Sequence, residues 1–283
     1  MTKSRLFFLT VTVLLLALVN TSCRSEFERV RTSGDPEALL KAADNYFELE
    51  EYQKAQTLYE LLIAPYRGRQ EAEQIAFRYA YTYYYLEQYI LASYYFKNFA
   101  NTYGGSNLKE EADFMSSYSN YELSPIFRLD QTYSQKAIEG FEEFANQYPN
   151  SERVPRANGL IDEMRAKLEL KDFESAKLYV DLRRYQSAIQ AFDNLLKDYP
   201  ETNRAEQIRY LTALAAYQLA SSSFVEYQTD RYREALKYMD TYLKRYPNEP
   251  KSDELRRYYI LSNKRLTELQ DERYQNPGAG PRS

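Results

Sequence analysis

Tyr79-Ala80-Tyr81-Thr82-Tyr83-Tyr84-Tyr85-Leu86-Glu87-Gln88-Tyr89-Ile90-Leu91-Ala92-Ser93-Tyr94-Tyr95-Phe96 is the stretch whose reading decides the fold. It is apolar enough to suggest a membrane span. A span, however, needs about 20 predominantly apolar residues, and here Glu87 and Gln88 interrupt the run while Lys97 bounds it. Ala80 with Tyr83, and Ala92 with Phe96, instead fall at the three- and four-residue spacing of a helix face. The stretch therefore reads as two helices folded back on one another. Small residues stand where the pair crosses, because a larger side chain would overpack the contact.

The same pairing recurs. Asp35 and Pro36 form a helix start, with Ala43 and Tyr46 behind them, then a turn around Leu49 to Tyr52, then Ala55 and Tyr59. Further on come Ala137 with Phe141, Ala188 with Phe192, and Ala235 with Met239. Tyr148-Pro149-Asn150-Ser151, Tyr199-Pro200-Glu201-Thr202 and Tyr246-Pro247-Asn248-Glu249 each stop a helix with a proline after an aromatic, and Asn101-Thr102-Tyr103-Gly104 is a variant. This is the pattern of tetratricopeptide-like repeats, and it predicts an all-α fold, a right-handed superhelical solenoid of about five helical hairpins. The second-helix alanines are 37, 45, 51 and 47 residues apart, longer than the standard repeat of about 34. Two insertions are expected, Ser124 to Ser134 and Ser221 to Asp230.

Composition narrows the chemistry. With 8 Gly and 10 Pro in 283 residues, the chain lacks the turn chemistry of a strand-rich fold. A formal charge of −4 supplies no basic field for nucleic acid. Histidine is absent and cysteine occurs once, which removes the commonest general base and metal ligand and any internal disulfide. No phosphate loop, Ser/His/Asp set or metal-ligand spacing is present, so no catalytic residue, metal or cofactor is expected. Glu110-Glu111 and Glu142-Glu143 read as solvated helix faces.

Lys3 and Arg5 precede an apolar run from Leu6 to Val19, and the only cysteine, Cys23, follows Asn20-Thr21-Ser22. This resembles a bacterial lipoprotein signal, although Asn20 stands where the usual box prefers Leu. The expected organisation is a signal peptide over 1–22, a lipidated polar tether over 23–33, an N-terminal repeat module over 34–104, a C-terminal module over 105–269 and a disordered tail over 270–283. The covalent lipid on Cys23, palmitate among its acyl chains, would hold the chain to a membrane.

Two further strings, Ala64-Pro65-Tyr66-Arg67-Gly68 and Ser124-Pro125-Ile126-Phe127-Arg128-Leu129-Asp130-Gln131-Thr132, complete a resemblance to the BamD family. That resemblance implies a lipoprotein subunit of the BAM complex, the β-barrel assembly machine, on the periplasmic face of the outer membrane. It also implies binding to the periplasmic domains of BamA and to the C-terminal targeting segment of unfolded outer-membrane β-barrel proteins, whose insertion into the membrane it promotes. On the residues themselves, Leu40, Lys41, Asp44, Phe47, Phe77, Arg78, Tyr81 and Tyr84 would line a concave peptide-binding groove, since repeat solenoids expose their first helices there. Ser124, Pro125, Leu129, Asp130, Gln131, Arg183 and Arg184 are candidate partner contacts. The rival expectation is another repeat lipoprotein, a scaffold in cell division or glycan uptake.

Overall fold

The computed structural model describes residues 26–275. Among these, twelve helices and no strand are present: α1 (Glu26–Arg31), α2 (Pro36–Glu48), α3 (Tyr52–Leu62), α4 (Ala72–Tyr85), α5 (Tyr89–Thr102), α6 (Lys109–Glu122), α7 (Thr132–Gln147), α8 (Val154–Asp181), α9 (Tyr185–Asp198), α10 (Ala205–Ser221), α11 (Val225–Arg245) and α12 (Ser252–Gln275). From α2 onward they follow one another as five hairpins with α12 closing the series. The fold is the all-helical tetratricopeptide type. No helix among the described residues is long and apolar enough to cross a membrane. The expected signal peptide over 1–22, Cys23 and residues 276–283 lie outside the described residues.

Local chemistry fixes each hairpin. Asp35 caps α2 by accepting from the Glu37 N–H at 3.0 Å, with Pro36 at the first helical position. Three A-to-B turns share one sequence form, Leu49-Glu50-Glu51-Tyr52, Leu86-Glu87-Gln88-Tyr89 and Leu182-Arg183-Arg184-Tyr185. In each the second residue sits in the left-handed region, with φ of 59°, 58° and 56° at Glu50, Glu87 and Arg183. The next N–H then reaches back to close the helix end, Glu51 to the Tyr46 carbonyl, Gln88 to Tyr83 and Arg184 to Tyr179.

The chain divides into two compact units. The first runs to Ser124 and takes up Thr132–Ile161, and the second takes Pro125–Gln131 and resumes at Asp162. In the first, Ala43, Ala55, Ala80, Ala92 and Ala137 are fully buried, and Tyr59, Phe96 and Phe141 fill the space beside them. In the second, Ala188 and Ala235 occupy the same place, with Phe192 and Met239. At these positions backbones approach too closely for anything larger.

Successive hairpins are joined by a polar tie. Ser106 donates to Glu73, Ser151 to Glu110 at 2.5 Å and Thr202 to Glu169 at 2.6 Å. The same three hydroxyls cap the next helix start, accepting from the N–H of Leu108, Arg153 and Arg204. Arg153 then pairs with Glu110 and Glu111, and Arg204 with Glu169. Glu110 and Glu111 are thus seam residues and not the solvated face expected of them. Their partner is more than 40 residues away in sequence and brought close only by stacking.

Three other expectations need correction. The tether contains α1, whose Phe27 and Val30 pack on the first core. The Ser221-to-Asp230 insertion is helix on both sides of a break at residues 222–224, because Gln228 and Arg231 reach back to cap Ser223. The tail is helical through Gln275, an extension of α12.

Gly140 of α7 lies against α6, where an added Cβ would fall on the Ser117 Oγ and stand 3.1 Å from its Cβ. Gly140→Ala should cost about 1–3 kcal/mol by urea denaturation, and Ser117→Gly in the same chain should recover part of it.

Candidate functional site

A band of rings crosses the first unit, carried on α2, α4 and α6 and the start of α3. Tyr52 stacks on Tyr85 at 4.4 Å, Tyr85 on Tyr81 at 5.5 Å, Tyr84 meets Tyr118 at 6.2 Å, and Tyr118 stacks on Tyr121 at 5.4 Å. Phe47 meets both Tyr52 and Tyr85 edge-on. Cations lie on the rings: Arg78 over Phe47 at 5.2 Å and Arg156 over Tyr118 at 4.8 Å. Partly exposed rings with adjacent guanidinium groups form a surface suited to apolar and aromatic side chains of another polypeptide.

Of the expected groove residues, Phe47, Tyr81 and Tyr84 belong to this band and Arg78 lies over its Phe47 ring. Phe47, Tyr81 and Tyr84 are half-buried members of it, Leu40 is half-buried, and Lys41 is exposed. Phe77 lies beneath the band, its ring edge-on to Tyr81 at 5.1 Å. It is buried against Phe96 and Phe99 and belongs to the core. Arg78 pairs with Asp44 at 3.2 Å and Glu48 at 3.0 Å, and Asp44 also accepts from Tyr59 at 2.7 Å. Arg78 therefore arrives already balanced by two carboxylates, and a ligand carboxylate would have to compete for it. Tyr81 donates to Glu111, so its hydroxyl serves the seam.

These ties have a common electrostatic effect. Burial first, and the accepting carboxylate second, push the hydroxyls of Tyr59, Tyr81, Tyr199, Tyr210, Tyr238 and Tyr242 above the ordinary tyrosine value. Partial burial first, and the Glu122 carboxylate second, push Tyr84 up to about 12.

The second candidate surface belongs to the second unit. Lys171 of α8 donates to the carbonyls of Phe127 at 3.3 Å and Leu129 at 2.7 Å, fixing the 125–131 loop. Gln131 is buried and donates to the carbonyls of Ile126 and Leu129 at 2.9 and 3.0 Å, so it staples the loop from within. Ser124 is taken up by Ser134 at 2.6 Å. Pro125 is half-buried, whereas Leu129 and Asp130 are exposed. Ile126 and Leu129 are 64% and 57% exposed, and along α8 from Lys171, at helical spacing, Leu178 and Leu182 are 55% and 60% exposed. Arg183 and Arg184 follow immediately. Both are exposed residues of the α8–α9 turn, Arg183 in its left-handed position. Sequence reading missed the two leucines because periodicity alone does not tell a buried face from a bare one.

Stacked hairpins presenting an aromatic band and exposed apolar side chains define a scaffold of tetratricopeptide type. The chain belongs to the YfiO family of outer membrane lipoproteins, whose family model matches residues 32–223. No curated protein matches it in a sequence search. Among solved structures, it is similar to one described as the TPR2AB domain of yeast Sti1 in a complex with pHSP90. The identity there is 12%, the coverage 81% of this chain and 98% of that one, and the TM-score 0.37.

The raised tyrosines predict a pH dependence. A group whose folded pKa lies above its unfolded value contributes stability that is whole below the unfolded value, about 10 for tyrosine, and is lost as pH rises through the folded value. Stability against urea should therefore fall above about pH 10, and tyrosinate absorbance should appear at higher pH in the native than in the denatured chain. Tyr238→Phe, which leaves Asp193 without its 2.7 Å donor, should reduce both effects.

Proposed function

We propose that this protein is a lipid-anchored scaffold of outer-membrane protein assembly, held through a lipid on Cys23 to the periplasmic face of the outer membrane. Its second unit docks the periplasmic domains of BamA, and its first unit receives the C-terminal segment of unfolded β-barrel proteins so that they can be inserted. Membership of the outer membrane lipoprotein family supports the location. The observation that carries the partner reading is a set of four large apolar side chains of the second unit left more than half exposed, Ile126 and Leu129 on the loop tied to Lys171, and Leu178 and Leu182 leading into Arg183 and Arg184. Bare apolar side chains with neighbouring cations have the composition of an interface core and rim.

The first unit offers the rings Phe47, Tyr81 and Tyr84 to a client's apolar side chains. Lys41, exposed on α2, has no ion pair among the described residues, and so is the better candidate for a terminal carboxylate than Arg78. Two arms test the reading. Leu178→Glu with Leu182→Glu should abolish co-purification of BamA in mild detergent while leaving the helical circular dichroism intact. Tyr81→Ala with Tyr84→Ala, or Lys41→Glu, should weaken binding of a peptide ending in an aromatic residue by about tenfold or more. Retained BamA removes the docking half, unchanged peptide affinity removes the client half, and a division protein or a glycan transporter as the dominant partner removes both.

A further inference from the structure

Between the residue expected to carry lipid and the first hairpin there is almost no slack. Cys23 is separated from Glu26 by Arg24 and Ser25 alone. Three peptide steps reach at most about 11 Å from Cα to Cα. From Glu26 onward the path is tied at nearly every residue. Arg31 pairs with Glu28 at 2.8 Å, the Thr32 hydroxyl donates to the Glu28 carbonyl at 2.7 Å, and the Ser33 N–H donates to the Val30 carbonyl at 3.0 Å. Gly34 makes the turn at φ +70°, and Asp35 receives the start of α2.

The short helix α1 is itself seated. Phe27 and Val30, three residues apart on one face, pack on the core of the first unit. The Phe27 ring meets Tyr46 edge-on, 5.8 Å between centroids at 76°, and the Lys54 ammonium lies 4.9 Å from the centre of the same Tyr46 ring. Tyr46 precedes Phe47, where the aromatic band begins.

We infer that α1 is a rigid mount that makes the bilayer surface the neighbour of the first hairpin, holding the Phe47 end of the aromatic band close to the lipid headgroups. This rests on the reading of Cys23 as the lipidated residue. A polypeptide bound in the band would then be presented at the membrane and not at the end of a swinging tether. The two acids and two bases of α1, Glu26, Glu28, Arg29 and Arg31, cancel. The position should therefore follow from chain length and packing and not from attraction to anionic lipid.

The test uses the full lipidated chain in vesicles of phosphatidylethanolamine with and without phosphatidylglycerol. Asn45→Cys on α2, exposed, takes a fluorescent donor, because an acylated Cys23 leaves that thiol as the one free to react. An acceptor dye is placed on the headgroups. Energy transfer should be strong and independent of anionic lipid. A flexible Gly-Ser linker inserted between Ser25 and Glu26 leaves the α1 packing untouched and should lower transfer by roughly twofold or more. Phe27→Ala with Val30→Ala should do the same by releasing α1. Transfer unchanged by the linker overturns the mount. Mass spectrometry separates the two failures: an unmodified Cys23 sinks the anchor reading itself, whereas an acylated Cys23 with transfer indifferent to the linker sinks this inference alone.

Discussion

A hairpin of two short helices buries one face and leaves the start of its first helix with unsatisfied N–H groups, so a stack of hairpins stands or falls on how each start is received. In this chain the answer is one hydroxyl used twice. Ser151 and Thr202 accept from an N–H two residues on, and each donates to a glutamate on the first helix of the preceding hairpin. Helix capping and hairpin stacking are thereby the same event. Arginine two residues later, Arg153 or Arg204, reaches the same acid and adds charge to the contact.

The heavy use of tyrosine follows the same logic. Within each unit tyrosines lie on hairpin surfaces, half in a core and half at a boundary, and their hydroxyls end on carboxylates of a neighbouring helix: Tyr148 on Asp113, Tyr199 on Asp172, Tyr210 on Glu254 and Tyr238 on Asp193. A phenylalanine at such a place would strand a carboxylate, and a tryptophan would not fit beside a buried alanine. The supply of 41 acids against 37 bases is therefore partly spent inside the fold, as acceptors for hydroxyls. Tyr52, Tyr81, Tyr84, Tyr85 and Tyr118 also pack on one another and, with Phe47, make the aromatic band, Tyr81 while donating to Glu111.

The hairpins were legible because an alanine at a helix crossing and an aromatic one turn away leave a periodic trace. The seam was not. Tyr-Pro-Asn-Ser and Tyr-Pro-Glu-Thr read as helix stops, which they are, but the hydroxyl's second partner lies 33 to 41 residues back and no local pattern points to it. Arg183 and Arg184 stood out as paired charge, while the more telling signal was their place in a recurring Leu-x-x-Tyr turn. Helix α1 escaped because six residues carry too little periodicity. For the candidate site, the sequence pattern could not give each side chain's surroundings: one turn of register separates Phe77 in the core from Tyr81 on the band, and the balance of Arg78 by Asp44 and Glu48 needs two hairpins to be seen together.

The seam can be tested directly by a double-mutant cycle on Thr202 and Glu169, using Thr202→Val, Glu169→Gln and the pair, each measured by urea denaturation. A tie that both caps and stacks predicts a coupling of about 1–3 kcal/mol, with the second substitution costing far less once the first is made. Two single costs that simply add would show that the hairpins are held by apolar packing alone and would contradict the account.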